Sequence, residues 1–439
     1  MKKTQLERII APLQRFIHLE YTSGVVLLLS VVAALIWANS AYSDSYNHLW
    51  HTTLTIGTEG FNLSYPLHIW INDGLMAVFF FLIGLELKRE FIEGELSSFK
   101  KACLPMSAAL GGMLVPALIY FFLNKGTSGA SGWGIPMATD IAFALALLSM
   151  VSKNIPVSVK IFLAALAVAD DLGAVLVIAF FYTAEINFSA LGVAAFFLLL
   201  LIGGNIAGIR TRAFYILIGL CVWVGFLLSG VHATIAGVLV AFTIPAVSRI
   251  NEQYFSSHLK LLSDDFAREI PERGVLTTAS QHNTIHEISV LTKAASTPLQ
   301  TIEHALHPWV AFGIMPLFAL SNSGVAIGGD FFDTLVNPIS LGIILGLVVG
   351  KFAGITLFTW IMVKLKIAAL PTGATWSHIA GVAILAGIGF TMSLFIAGLA
   401  FNEQLLVDEA KYGILIASLI AGTSGVLFLK LTTKKKTNQ

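Results

Sequence analysis

Apolar residues in this chain come in long unbroken runs separated by short polar stretches, and the run lengths set the architecture. Twelve runs stand out, at about residues 24–41, 67–86, 102–123, 134–152, 156–182, 188–209, 213–228, 231–248, 308–326, 338–363, 378–400 and 412–429. At about 1.5 Å of rise per helical residue, runs of this size match the roughly 30 Å hydrocarbon layer of a bilayer. Hydrocarbon offers no water to backbone N–H and C=O groups, so such segments must be helices, whereas barrel strands would be shorter and alternating. The pattern predicts an all-α membrane protein with about twelve transmembrane helices. Residues 1–248 would carry helices one to eight, and 308–439 helices nine to twelve with a basic tail. Together they form one membrane domain, interrupted by a cytoplasmic loop insertion at 249–307.

The cations give this bundle a direction. Of 26 Lys and Arg, all but Lys125, Lys351 and Lys411 fall at the ends of alternate segments. They are Lys2, Lys3, Arg8, Arg15, then Lys88, Arg89, Lys100, Lys101, then Lys153, Lys160, Arg210, Arg212, and the loops from Arg249 to the C-terminal lysines. The positive-inside rule places that side, with both termini, in the cytoplasm. Composition agrees, since 56% of residues are hydrophobic and 12% charged. A net charge of +1 gives nucleic acid no footprint, so lipid is the partner of the outer surface. Cys103 and Cys221 sit in or beside apolar segments and imply no disulfide framework.

Against this apolar background a few polar residues are conspicuous. Asp170 and Asp171 lie side by side inside the fifth segment, where an ionised carboxylate costs several kcal/mol unless it faces protein, water or a cation. Lys351, inside the tenth segment, is the one mid-membrane cation and needs an acidic partner, for which Asp170 or Asp171 is the candidate. The fourth segment contains Pro136, Thr139 and Asp140 close together, and the eleventh contains Gly381, Gly387 and Gly389. Pro and Gly ease the unwinding of a helix, and a broken helix exposes amide and carbonyl ends whose partial charges need neutralising. Asp140 suits the amide ends and Lys351 the carbonyl ends. The two segments run in opposite directions, each in the middle of a triplet, as inverted repeats require. Na⁺ and Li⁺ are hard cations that prefer oxygen ligands, and a buried carboxylate takes either a proton or a cation, so the two can compete for one site. No nucleophile–base constellation stands out, so neither an enzyme nor a cofactor is expected.

Several of these stretches form recognisable motifs. They include Gly84-Leu85-Glu86-Leu87-Lys88-Arg89-Glu90, Ala138-Thr139-Asp140-Ile141-Ala142, Ala169-Asp170-Asp171-Leu172-Gly173 and Ser229-Gly230-Val231-His232-Ala233. Glu303-His304-Ala305-Leu306-His307-Pro308-Trp309 and Gly387-Ile388-Gly389-Phe390-Thr391-Met392-Ser393 complete the set. Together the chain resembles the NhaA-type sodium/proton antiporters over nearly its whole length. That family itself exemplifies inverted repeats and broken helices, so the resemblance implies that architecture without adding a derivation of it.

The resemblance implies a pH-regulated, electrogenic exchange of cytoplasmic Na⁺ or Li⁺ for external H⁺ across a bacterial inner membrane, by a protein that pairs as a homodimer. Asp171 would be the principal cation ligand, with Asp170 a second proton carrier alternating between the ion and Lys351. Thr139 and Asp140 would sit at the helix crossing, with Gly387 and Gly389 at its breaks. Glu86, Glu90, Glu303, His304 and His307 would form the cytoplasmic mouth and its pH response, with His232 in a supporting role.

Plainer readings stand beside these. The acids and Lys351 would otherwise be structural ion pairs, Asp140 a neutraliser of helix ends, Glu86 and Glu90 a solvated cluster, the histidines caps, and the glycines packing positions. Asp73, near the outer end of the second segment, reads equally as structural. The polar stretch from Arg249 to Gln300 is longer than the family's loop, and Thr301 stands where a basic residue is expected. The functional alternative is a proton- or sodium-coupled transporter of organic solutes.

Overall fold

The computed structural model describes residues 20–58, 61–151, 155–183, 186–268, 277–328 and 335–434. Lys2, Lys3, Arg8, Arg15, Lys153, Arg273, Lys435 and Lys436, which contribute to the charge asymmetry, lie outside the described residues.

Each apolar run of the sequence is mainly helical over its described residues. Helix α1 (Glu20–Ala38) turns by 113° into α2 (Ser43–His51). Next come α3 (Leu67–Ile92) and α4 (Phe99–Asn124). The 3-10 segment Ser128–Met137 leads into α5 (Ile141–Val151) across a 42° bend. Helices α6 (Val157–Phe181), α7 (Phe188–Ile206), α8 (Arg212–Ser229) and α9 (Ala233–Thr243) complete the first part. The polar stretch folds as α10 (Glu252–Arg268) packed on α11 (Ala279–Ala295), the latter opened by a Thr278–Gln281 capping box. Beyond it lie α12 (Pro298–Trp309), α13 (Met315–Asn322) and α14 (Pro338–Lys364). Last come α15 (Trp376–Leu385), α16 (Phe390–Ala400) at 45° to it, and α17 (Gln404–Lys434).

Among the described residues, seven helices are long and apolar enough to cross a membrane, or ten if each bent pair is one span. The two remaining apolar runs lie on α9, which has only 11 residues, and on α12–α13. Among the described residues, one element departs from the helical pattern. Strands β1 (Thr53–Thr58) and β2 (Phe61–Pro66) form an antiparallel hairpin, pairing Thr53 with Pro66, in the polar interval between the first two runs.

Small residues bring the helices close, as expected where lipid supplies no hydrophobic drive for helix association. A methyl on Gly111 of α4 would strike the Gly354 carbonyl of α14, and one on Gly237 of α9 would strike the Ala77 carbonyl of α3. Among the seven unbroken spans α6 is the most buried and α7 the least. Among the described residues, three π-turns interrupt otherwise α-helical spans, at Trp70–Leu75, Val310–Ile314 and Gly346–Gly350. Such turns concentrate at functional positions, and the third ends immediately before Lys351.

Candidate ion site at two interrupted helices

The breaks at residues 138–140 and 386–389 meet each other. The Asp140 N–H donates to the Ile388 carbonyl at 2.7 Å, and the Ser393 hydroxyl to the Ile135 carbonyl at 2.8 Å. Gly387 and Gly389 serve this approach through lack of bulk, since a methyl would strike the Leu347 carbonyl at the first and the Ser393 hydroxyl at the second. Asp140 caps both half-helices that start here. Its Oδ1 accepts from Phe143 N at 3.0 Å in the first turn of α5, and its Oδ2 from Thr391 N at 3.2 Å and Thr391 Oγ1 at 2.5 Å in the first turn of α16. One carboxylate thereby faces two positive helix ends. The carbonyl end of α15 meets a hydroxyl instead of an ammonium: Thr139 Oγ1 lies 2.9 Å from Ala386 O.

Beside this crossing α6 presents Asp170 and Asp171, both fully buried, as is Lys351. The Lys351 ammonium takes Asp170, with Nζ 2.5 Å from Oδ2, and Thr139 Oγ1 lies 2.8 Å from the same oxygen. Asp170 Oδ1 and both oxygens of Asp171 are buried with no hydrogen-bond partner among the described residues. Asp171 stands in the field of Asp170, Asp140 and Glu86, opposed by Lys351. A buried carboxylate left without hydrogen-bond donors needs a proton or a cation, and the ligand atoms that Asp170, Asp171 and Thr139 offer are oxygens, the preference of a hard cation.

The predicted mouth residues gather at the other end of α3 from the β hairpin. Arg89 pairs with the buried Glu303 of α12 and, at 3.3 Å, with Glu90, whose Oε2 accepts from Glu95 N at 3.0 Å. Burial pushes the Glu303 carboxyl above the usual carboxylate range, and the Arg89 guanidinium pulls it back. Glu86, one turn earlier and half-buried, lies in the field of this group, while His304 and His307 are exposed on α12. His232 and Asp73 lie apart from the crossing. His232 Nε2 bonds the Tyr182 carbonyl at 2.6 Å, and Asp73 occupies the π-turn of α3.

Two participants escaped the sequence reading. Thr391 sits inside a recognised motif, and its place just after Gly389 at a helix start was the available signal. Lys88 Nζ reaches the Phe242 and Ile244 carbonyls at 2.7 and 2.5 Å, closing the C-terminal end of α9, and nothing local in the sequence points to that partner.

Comparison with known proteins places this geometry in context. The family described as Na⁺/H⁺ antiporter 1 matches residues 14–429. The Na(+)/H(+) antiporter NhaA of Oleidesulfovibrio alaskensis is 49% identical over 97% of this chain and 95% of its own length. The proteins of that name from Sulfurimonas denitrificans and Acidithiobacillus ferrooxidans are 46% and 47% identical, covering 98% and 97% of this chain and 97% and 99% of their own. Agreement of this extent leaves no segment of the membrane bundle unaccounted for, and the chain belongs to the NhaA-type sodium/proton antiporter family.

Proposed function

We propose that the chain exchanges cytoplasmic Na⁺, or Li⁺, for external H⁺ at Asp171 and Asp170. The observation that carries this reading is the pair of unpartnered Asp171 oxygens, fully buried next to an Asp170 already bound to Lys351. A proton and an alkali cation are alternative ways to neutralise such a carboxylate, so each displaces the other. Asp170 then has two partners to alternate between, Lys351 and the ion, which allows more than one proton to move per Na⁺ and makes the exchange electrogenic. Thr139 and the unwound carbonyls lend oxygen, while Asp140 is fully engaged in holding the two breaks together.

Alternating access at a site of this kind lets an inward proton gradient drive Na⁺ out. The apolar runs support twelve crossings, the cation asymmetry a basic side facing the cytoplasm, and the family a bacterial inner membrane. The Arg89–Glu90–Glu303 cluster, with Glu86 between it and Asp171, is the candidate for pH response. The test uses proteoliposomes with an imposed pH gradient and a pH-sensitive dye. Na⁺ should collapse the gradient in the native protein, with apparent affinity falling as pH falls, and Asp171→Asn should abolish the response. An unaffected Asp171→Asn, or no response to any alkali cation from mildly acidic to alkaline pH, removes this reading.

A further inference from the structure

The β hairpin leaves and rejoins the helices at two histidines. Its ladder pairs Thr53 with Pro66, and the Leu67 N–H donates to the Thr52 carbonyl at 3.0 Å, carrying the register one step further. The next pair in that register is His51 and His68. Their rings stand 5.3 Å apart, centre to centre, tilted by 53°. His51 Nδ1 lies 2.7 Å from the Asn47 carbonyl oxygen and His68 Nδ1 3.2 Å from that of Trp50. A carbonyl only accepts, so both Nδ1 atoms carry hydrogen, and the neutral rings keep their lone pairs on Nε2. Both acceptors belong to α2, and Nε2 lies across the ring from Nδ1, so both lone pairs point away from that helix end.

We propose that His51 and His68 form a two-imidazole site for a divalent transition metal of the zinc type, clipping the base of the hairpin. Metal-ligating histidines regularly have their other N–H fixed by a carbonyl or carboxylate, and both rings show that arrangement. With Zn–N bonds of about 2.05 Å and a tetrahedral angle, two imidazole centres come to about 5.2 Å apart. The observed 5.3 Å matches it. Imidazole nitrogen suits Zn²⁺, Cu²⁺ and Ni²⁺, and not the Na⁺ served by the carboxylates. Among the described residues no group of three His, Cys, Asp or Glu forms a closed cage, so the two rings make an open site completed by solvent. His51 is exposed and His68 half-exposed, so the ion has access. Binding closes the loop between residues 51 and 68 and suppresses opening of the strands.

The test titrates ZnCl₂ calorimetrically into the full-length protein, freed of any affinity tag. The chain carries His282→Ala and His286→Ala, because that exposed i, i+4 pair on α11 is a competing metal binder. Amide exchange across residues 53–66 is followed with and without Zn²⁺. One Zn²⁺ per chain is expected, lost in His51→Gln and equally in His68→Gln; because the site needs both rings, either variant suffices if the other does not fold. Exchange through the hairpin should slow about a hundredfold at free Zn²⁺ one hundred times Kd, and only when both histidines are present. Unchanged Zn²⁺ binding in the Gln variants, or hairpin exchange indifferent to saturating Zn²⁺, overturns the proposal.

Discussion

Asp140→Asn tests whether the crossing is held together as described. The carboxylate accepts three hydrogen bonds, from Phe143 N on one oxygen and from Thr391 N and Oγ1 on the other. An asparagine offers one carbonyl oxygen, so its NH₂ must face either the Phe143 or the Thr391 amide, donor against donor. At least one hydrogen bond to a charged group is lost, worth about 1.5–3 kcal/mol. The anion's attraction to two helix N-termini goes with it, at about 0.3–1 kcal/mol each. The expected cost is about 3 kcal/mol, roughly a hundredfold in the unfolding equilibrium. Reversible denaturation in mixed micelles, followed by circular dichroism, measures it, with Glu287→Gln on exposed α11 as the control. Thr391→Val removes one of the same bonds, so the double variant should fall short of additivity by about 1 kcal/mol. A loss below about 0.5 kcal/mol, or strict additivity, would refute the capping argument.

Other perturbations read other parts of the site. Lys351→Met leaves Asp170 buried and uncompensated, a loss of about 3–5 kcal/mol, and adding Asp170→Asn should recover most of it in the same denaturation assay. Arg89→Gln removes the main group that favours ionised Glu303, so burial and the nearby Glu90 outweigh His304 and that carboxyl protonates at higher pH. The pH profile of proteoliposome exchange should therefore move to the alkaline side, with a smaller shift for Arg89→Lys, and an acid shift would contradict the assignment. Gly387→Ala drives a methyl into the Leu347 carbonyl and should cost about 1–3 kcal/mol in thermal or chemical stability.

The bundle was legible because continuous hydrophobicity is a strong signal, and the breaks because Pro136 and Gly387–Gly389 interrupt it. Partner choice at the centre was not. Asp170 and Asp171 are adjacent and chemically identical, and only the approach of α14 after its π-turn selects Asp170 for Lys351. Likewise the sequence pointed to Lys351 for the carbonyl end of α15, where Thr139 stands instead, because that choice depends on where the two breaks cross. The β hairpin escaped because Thr53–Thr58 is a short alternating stretch whose pairing depends on a partner strand rather than on burial. The Arg89–Glu303 pair spans two distant helices, so sequence spacing could only place its members in motifs.

Thr139 carries one hydroxyl hydrogen but stands within bonding distance of two acceptors, Asp170 Oδ2 and the Ala386 carbonyl. While Asp170 is ionised, that hydrogen is contested. A proton on Oδ2 of Asp170 would be donated to Thr139, whose own hydrogen would then go wholly to Ala386, aligning the three groups as a one-way relay. The charge state of a carboxylate on α6 is thereby coupled, through one hydroxyl, to the bonding at the end of α15.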